Sequence, residues 1–207
     1  MTTDILLQRV VEFTTPTTCL LCKAEPEIIC DDCYPRALPP LAPGDIDAVT
    51  TYDDIGKELI RRFKFEGDQE AGRLCARYMA DVVDRDTVDV VVAVTTTAAR
   101  RRQRGYDQSE ILAREVARRL GLLYIKALVR VKNIDQIGKG RLERIAQSED
   151  LYVAVNASEF TSKRVLLVDD VTTTGATMRS AADTLLEVGA RTVYCLAFAS
   201  DTLSSKK

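Results

Sequence analysis

No histidine occurs anywhere in the 207 residues. That absence excludes Ser-His and Cys-His catalytic pairs and every zinc site that uses an imidazole. Long apolar runs are missing too. The longest, Val88 to Val94, is interrupted by Asp89 and falls far short of the ~18 residues of a membrane-spanning helix. The opening Met1-Thr2-Thr3-Asp4-Ile5-Leu6-Leu7 has neither a basic start nor an extended apolar stretch, so no targeting segment is expected and the chain is read as cytoplasmic. Net charge is nearly absent, at -2 from 29 Lys+Arg and 31 Asp+Glu. With 46% hydrophobic residues, this balance argues against disorder and for a core built without disulfide staples.

The small net charge conceals segregation. Thr96 to Ile145 holds 13 Lys+Arg and 5 Asp+Glu, a balance of +8, whereas the remainder has 16 basic and 26 acidic residues, or -10. A local basic surface on an acidic protein points to an anionic ligand such as polyphosphate or nucleic acid; the plainer alternative is a solvated helix face.

What is present begins with cysteine. Cys19-Leu20-Leu21-Cys22 is followed after seven residues by Cys30-Asp31-Asp32-Cys33. Two thiolates three residues apart clasp one ion in a knuckle turn, and two knuckles complete a tetrahedral sulfur shell around Zn2+ with no open position, so the site is structural. A redox pair, a disulfide loop and an iron-sulfur cluster are the alternatives. The surrounding segment, with Pro16, Pro26, Pro35, Pro39, Pro40 and Pro43, has too few apolar residues to fold alone. Metal binding of about 10 kcal/mol would supply what its core does not. Cys75 and Cys195 lie in apolar segments and are read as packed core thiols.

From here the pattern alternates. Strands are expected at Ile46–Tyr52, Val88–Val94, Leu123–Val131, Leu151–Val155, Arg164–Asp169 and Thr192–Ala199. Helices are expected at Asp54–Phe65, Asp68–Val83, Ser109–Leu120 with Gly121 as its stop, and Ala176–Val188 closed by Gly189. Strands alternating with helices imply an α/β fold with a doubly wound, mainly parallel sheet over residues 46–207, preceded by a small four-cysteine zinc module and linker over residues 1–45. Lys132 to Ser148 is polar, holds Gly138 and Gly140, and reads as a long loop of the kind used as a functional lid.

The sharpest signal is Val165-Leu166-Leu167-Val168-Asp169-Asp170-Val171-Thr172-Thr173-Thr174-Gly175-Ala176-Thr177. An apolar strand ends in two acids, then a loop of small hydroxyl residues opens a helix, which aims backbone N–H groups at one point and suits a phosphate. Without Gly-Lys-Ser/Thr it is no Walker loop. Phosphate would repel the acids, so they are expected to meet sugar hydroxyls or a metal-bound group beside it. This stretch resembles the 5-phosphoribosyl-1-pyrophosphate (PRPP) motif of type I phosphoribosyltransferases. The resemblance implies that Asp169 and Asp170 hold the ribose hydroxyls and that Val171, Thr172, Thr173, Thr174, Gly175, Ala176 and Thr177 cradle the 5′-phosphate.

Upstream, Arg100-Arg101-Arg102-Gln103-Arg104-Gly105-Tyr106-Asp107-Gln108-Ser109 concentrates guanidinium groups able to bind phosphate oxygens in pairs. The double CxxC, this Arg-Gly-Tyr-Asp-Gln element, the later Gln136, Arg144 and Tyr152, and the PRPP motif occur in the order of the ComF family, and the chain is similar to that family over nearly its whole length. ComF proteins are associated with competence for DNA uptake. The chain has Ala93-Val94-Thr95-Thr96-Thr97 where the family commonly has Pro-Val-Pro, Asp107 in place of Asn, and Gln147 in place of Asn. The resemblance implies Mg2+-dependent phosphoribosyl transfer, with pyrophosphate near Arg101, Arg104 and Arg144. A lid carrying Lys132, Lys139, Arg141 and Arg144 would close over it, and catalysis would rest on Asp169, Asp170, Arg104 and Lys139. The acceptor is left open. The alternatives are a non-catalytic PRPP sensor or a protein whose basic segment, with Tyr106 and Tyr124, binds single-stranded DNA beside DNA-uptake proteins.

Overall fold

Parallel strands are covered on both faces, and the continuous apolar runs of this chain are where they form. The computed structural model describes residues 17–39, 41–97, 101–102, 105–131 and 151–201. It contains a five-stranded sheet of β1 (Asp47–Thr51), β2 (Val90–Ala93), β3 (Leu123–Tyr124), β6 (Arg164–Thr172) and β7 (Thr192–Ser200), in the order β1-β7-β6-β2-β3. Every pairing in it is parallel. A separate antiparallel pair joins β4 (Leu128–Val131) to β5 (Leu151–Ala154). The chain divides into two compact units, Met1–Pro39 and Pro40–Lys207. The first contains α1 (Tyr34–Ala37), with proline in its opening turn where the missing N–H costs nothing.

The second unit adds α2 (Asp54–Arg61), which runs on into a π turn at Arg62–Glu66, then α3 (Gln69–Asp81), α4 (Gln108–Leu120) and α5 (Ala176–Glu187). Local chemistry explains the ends. The Asp68 side chain accepts from the Glu70 and Ala71 N–H groups to open α3, and Gly121, at φ 65°, closes α4. On one face of the sheet, Val90, Val92, Val165 and Leu167 pack with Met178 and Leu185 of α5. The other face takes α4, which also packs on α3, and buries Leu112 and Val116 completely. Fully burying each such side chain contributes roughly 1.5–3 kcal/mol. At the start of β6, Arg164 grips Asp89 through Nε at 3.1 Å and Nη2 at 2.7 Å, aligning β6 with β2.

The winding locates the site. From β2 the chain passes through α4 to β3 on one side, and from β6 through α5 to β7 on the other. The direction reverses between β2 and β6, and α/β sheets open a crevice at the carboxyl ends of strands at such a reversal.

Two expectations change. Leu123–Val131 is not one strand: Leu123 and Tyr124 pair with β2, then the chain leaves the sheet and Leu128 onward pairs with β5. The apolar pattern continues across the break because only the partner changes. The strand expected to end at Asp169 runs on to Thr172, held by β7 through Ser200. Lys132–Ser148, the proposed lid, lies outside the described residues.

Candidate functional site

Strand β2 pairs with β6 only as far as Val168. Beyond it β6 is open on that side, and Asp169 and Asp170 occupy the gap. Successive residues on a strand face opposite ways, which separates the two carboxylates. Ser109, in the first turn of α4, donates its hydroxyl to Asp169 Oδ1 at 2.6 Å, and the Asp170 N–H donates to the same oxygen at 2.8 Å. Lys64, in the π turn, donates to Asp170 Oδ1 at 2.8 Å. These bonds all fall on Oδ1 of the two acids. Burial, reinforced by the Asp170 charge, pushes the Asp169 carboxyl up to about 7 despite the bonds from Ser109 and Asp170 N–H.

Both acids line a cavity of about 390 Å3. The turn Thr173–Gly175 and the start of α5 form one wall. Gly175 has φ 76°, and a Cβ there would lie 2.5 Å from Ile46 Cδ1, so glycine alone fits this turn. The Arg179 guanidinium donates to the Thr174 carbonyl, and Ala176 N–H donates to Thr174 Oγ1 at 3.3 Å. A helix N-terminus with an adjoining guanidinium and threonine hydroxyls is an anion cradle.

Opposite it, the turn after β2 is fixed at three points. Thr95 Oγ1 donates to the Leu128 carbonyl at 3.2 Å, Tyr152 OH donates to the Thr95 carbonyl at 3.3 Å, and Thr96 N–H donates to Asp107 Oδ2 at 2.9 Å. Asp107 also caps α4, accepting from Glu110 N–H at 3.3 Å, and burial pushes its carboxyl up. Asp107 therefore supplies two acceptors, one for the helix and one for the turn. Asp-x-x-Glu ahead of an apolar helix is the signal for such a cap. Arg130 and Tyr152, cross-strand partners in β4–β5, complete the roof.

Sequence reasoning missed Lys64, Ser109, Arg130 and Arg179. Of the residues it named, Asp169, Asp170 and Val171 through Thr177 all line the cavity. Arg101 is exposed and does not, while Arg104, Lys139 and Arg144 lie outside the described residues. On α4, Arg114 pairs with Glu110 at 2.8 Å, and Arg118 and Arg119 pair with Glu115 at 2.7 and 2.9 Å, so part of the basic excess is balanced locally. Tyr106 donates to the Phe63 carbonyl at 2.8 Å, and Tyr124 lies beneath Arg114, 4.3 Å from its ring centroid.

In the other unit, the sulfurs of Cys19, Cys22, Cys30 and Cys33 all lie within 4.8 Å of one another, with Cys22 and Cys30 at 3.6 Å. Zn–S bonds of ~2.3 Å in a tetrahedron need sulfurs about 3.8 Å apart, so the cluster fits zinc. Arg36 donates to Cys33 Sγ at 3.3 Å, offsetting thiolate charge. Cys75 is fully buried, and burial pushes the Cys195 thiol up to about 11, which suits core thiols.

A parallel sheet with an acid pair and a helix N-terminus at its switch point defines a doubly wound α/β ligand-binding domain. The chain belongs to the phosphoribosyl transferase domain family, whose model matches residues 65–207. Its relatives include Competence protein ComFC of Bacillus subtilis (strain 168), 33% identical over 145 residues, 69% of this chain and 58% of that protein. Competence protein F of Haemophilus influenzae is 32% identical over 142 residues, 63% of this chain and 62% of that protein. The chain thus spans about three fifths of the length of these curated relatives. Among solved structures it is similar to adenine phosphoribosyl transferase from Trypanosoma brucei, with TM-score 0.44 and 14% identity, covering 67% of this chain and 68% of that one.

Proposed function

We propose that the chain binds PRPP with Mg2+ in this cavity, transfers its phosphoribosyl group to an acceptor and serves DNA uptake, a reading supported by relatives named competence proteins. The observation that carries the reading is the acid pair at the switch point, each carboxylate held through Oδ1, beside the cradle at Thr173–Gly175 and α5. In this reading the ribose hydroxyls donate to Oδ2 of Asp169 and Asp170. The 5′-phosphate takes the N–H groups at the start of α5 and the threonine hydroxyls. The pyrophosphate lies toward Thr95–Thr96.

Charge neutralisation at the leaving group is what Mg2+ bound with PRPP would supply, while Asp169 and Asp170 would hold the sugar. The bond from C1 to the pyrophosphate oxygen breaks and its electron pair leaves with pyrophosphate. A lone pair of the acceptor forms the new bond to C1. The chain's own residues orient the sugar and exclude water, so their work is electrostatic and positional.

Titration calorimetry with PRPP and Mg2+ tests the reading. Heat of binding is expected for the wild type and is expected to vanish in the Asp169→Asn, Asp170→Asn double variant. No heat from the wild type at millimolar PRPP would overturn it.

A further inference from the structure

Lys64 belongs to none of the sequence motifs and stands one residue ahead of the stretch the family model matches. Yet its ammonium lies 2.8 Å from Asp170 Oδ1, on the cavity wall, with the two side chains only 16% and 12% exposed. Its placement is built. The π turn Arg62–Glu66 widens the helix by one residue and redirects the side chains there. Phe63 is fully buried against Gly72, where a Cβ would come within 2.7 Å of its ring. The Phe63 carbonyl accepts from Tyr106 OH, so Tyr106 anchors the turn that presents Lys64.

The site poses an electrostatic difficulty. A sugar bearing a phosphate and a pyrophosphate must settle beside two adjacent carboxylates. Like charges at such close range repel, and a partly desolvated site screens them less than bulk water does. Lys64 cancels one of them and does so through Asp170 Oδ1.

We propose that Lys64 is a positioning residue that aims Asp170 and offsets its charge, so that this site favours a sugar carrying several phosphates over one carrying a single phosphate. The inference rests on the PRPP reading and adds to it the source of ligand preference. Because Lys64 acts through charge, its removal weakens a ligand in proportion to the ligand's own charge. A residue that only stabilised the fold would affect both ligands alike.

The test is calorimetry on the full chain with Mg2+, titrating PRPP and, separately, ribose 5-phosphate. Lys64→Met is expected to weaken PRPP about tenfold or more. Ribose 5-phosphate is expected to lose several-fold less, and Lys64→Arg to recover most of the PRPP affinity. Should the methionine variant not fold, Lys64→Gln, which keeps a donor to Asp170 and loses only the charge, decides. Equal losses for the two ligands, or unchanged PRPP affinity in a folded neutral variant, overturn the assignment of Lys64 and leave the PRPP reading standing. A wild type that takes up no PRPP overturns both.

Discussion

Asp169 lowers the stability of the ligand-free chain. Its carboxyl is shifted from 3.8 to about 7 by burial and then by Asp170. Between these values the unfolded chain releases the proton and the folded chain keeps it, so stability falls as pH rises through that window and levels off above it. Asp169→Asn removes the dependence. Scanning calorimetry is expected to show the ligand-free variant melting above the wild type near pH 8, with a smaller gap near pH 4, while PRPP binding is lost. The same gap at both pH values would contradict the shift. Gly175 is the other residue whose identity is dictated. Gly175→Ala places a side chain at φ 76° against Ile46 and Arg179. It is expected to cost about 1–2 kcal/mol in urea unfolding and to weaken PRPP binding by disturbing the start of α5. At this scale legibility depends on sequence distance. Asp169 through Thr177 form one contiguous signal, but Lys64 meets Asp170 across 106 residues and reads in isolation as one more solvated lysine.

Among the elements, local chemistry was legible and partnership was not. Asp68 and Gly121 mark real helix ends because a cap or a left-handed stop is decided within a few residues. The break after Tyr124 and the continuation of β6 to Thr172 depend on which strand lies alongside, which no local pattern records. Asp107 shows how a cap reaches beyond its helix. It holds α4 with one oxygen and the Thr96 turn with the other. Asp107→Ala removes both acceptors and leaves buried donors, for an expected loss of about 2 kcal/mol. Asp107→Asn keeps one acceptor and is expected to lose about half as much. Urea unfolding with unchanged m-value checks both, and equal losses would mean that only one of the two contacts matters.

For the whole molecule, alternating elements were enough to anticipate the doubly wound sheet, and the acid pair at the end of an apolar strand marked where its winding reverses. The double CxxC was equally legible, because four ligands in fifteen residues need no distant partner. Its energetic consequence belongs to the first unit. That unit has one four-residue helix among its described residues, and Ile28 and Ile29 are among its few buried side chains. An ion held by the four cysteines would add to this small described core about 10 kcal/mol, as in comparable sites. The purified chain is expected to carry one zinc ion, measured by atomic emission, with no visible absorption of an iron-sulfur cluster. Cys22 is exposed, giving a chelator a route to the site. After chelation, scanning calorimetry is expected to lose the transition of the Met1–Pro39 unit and keep that of the α/β unit, since each forms its own compact body. Collapse of both transitions together would show instead that the zinc module supports the phosphoribosyl transferase domain.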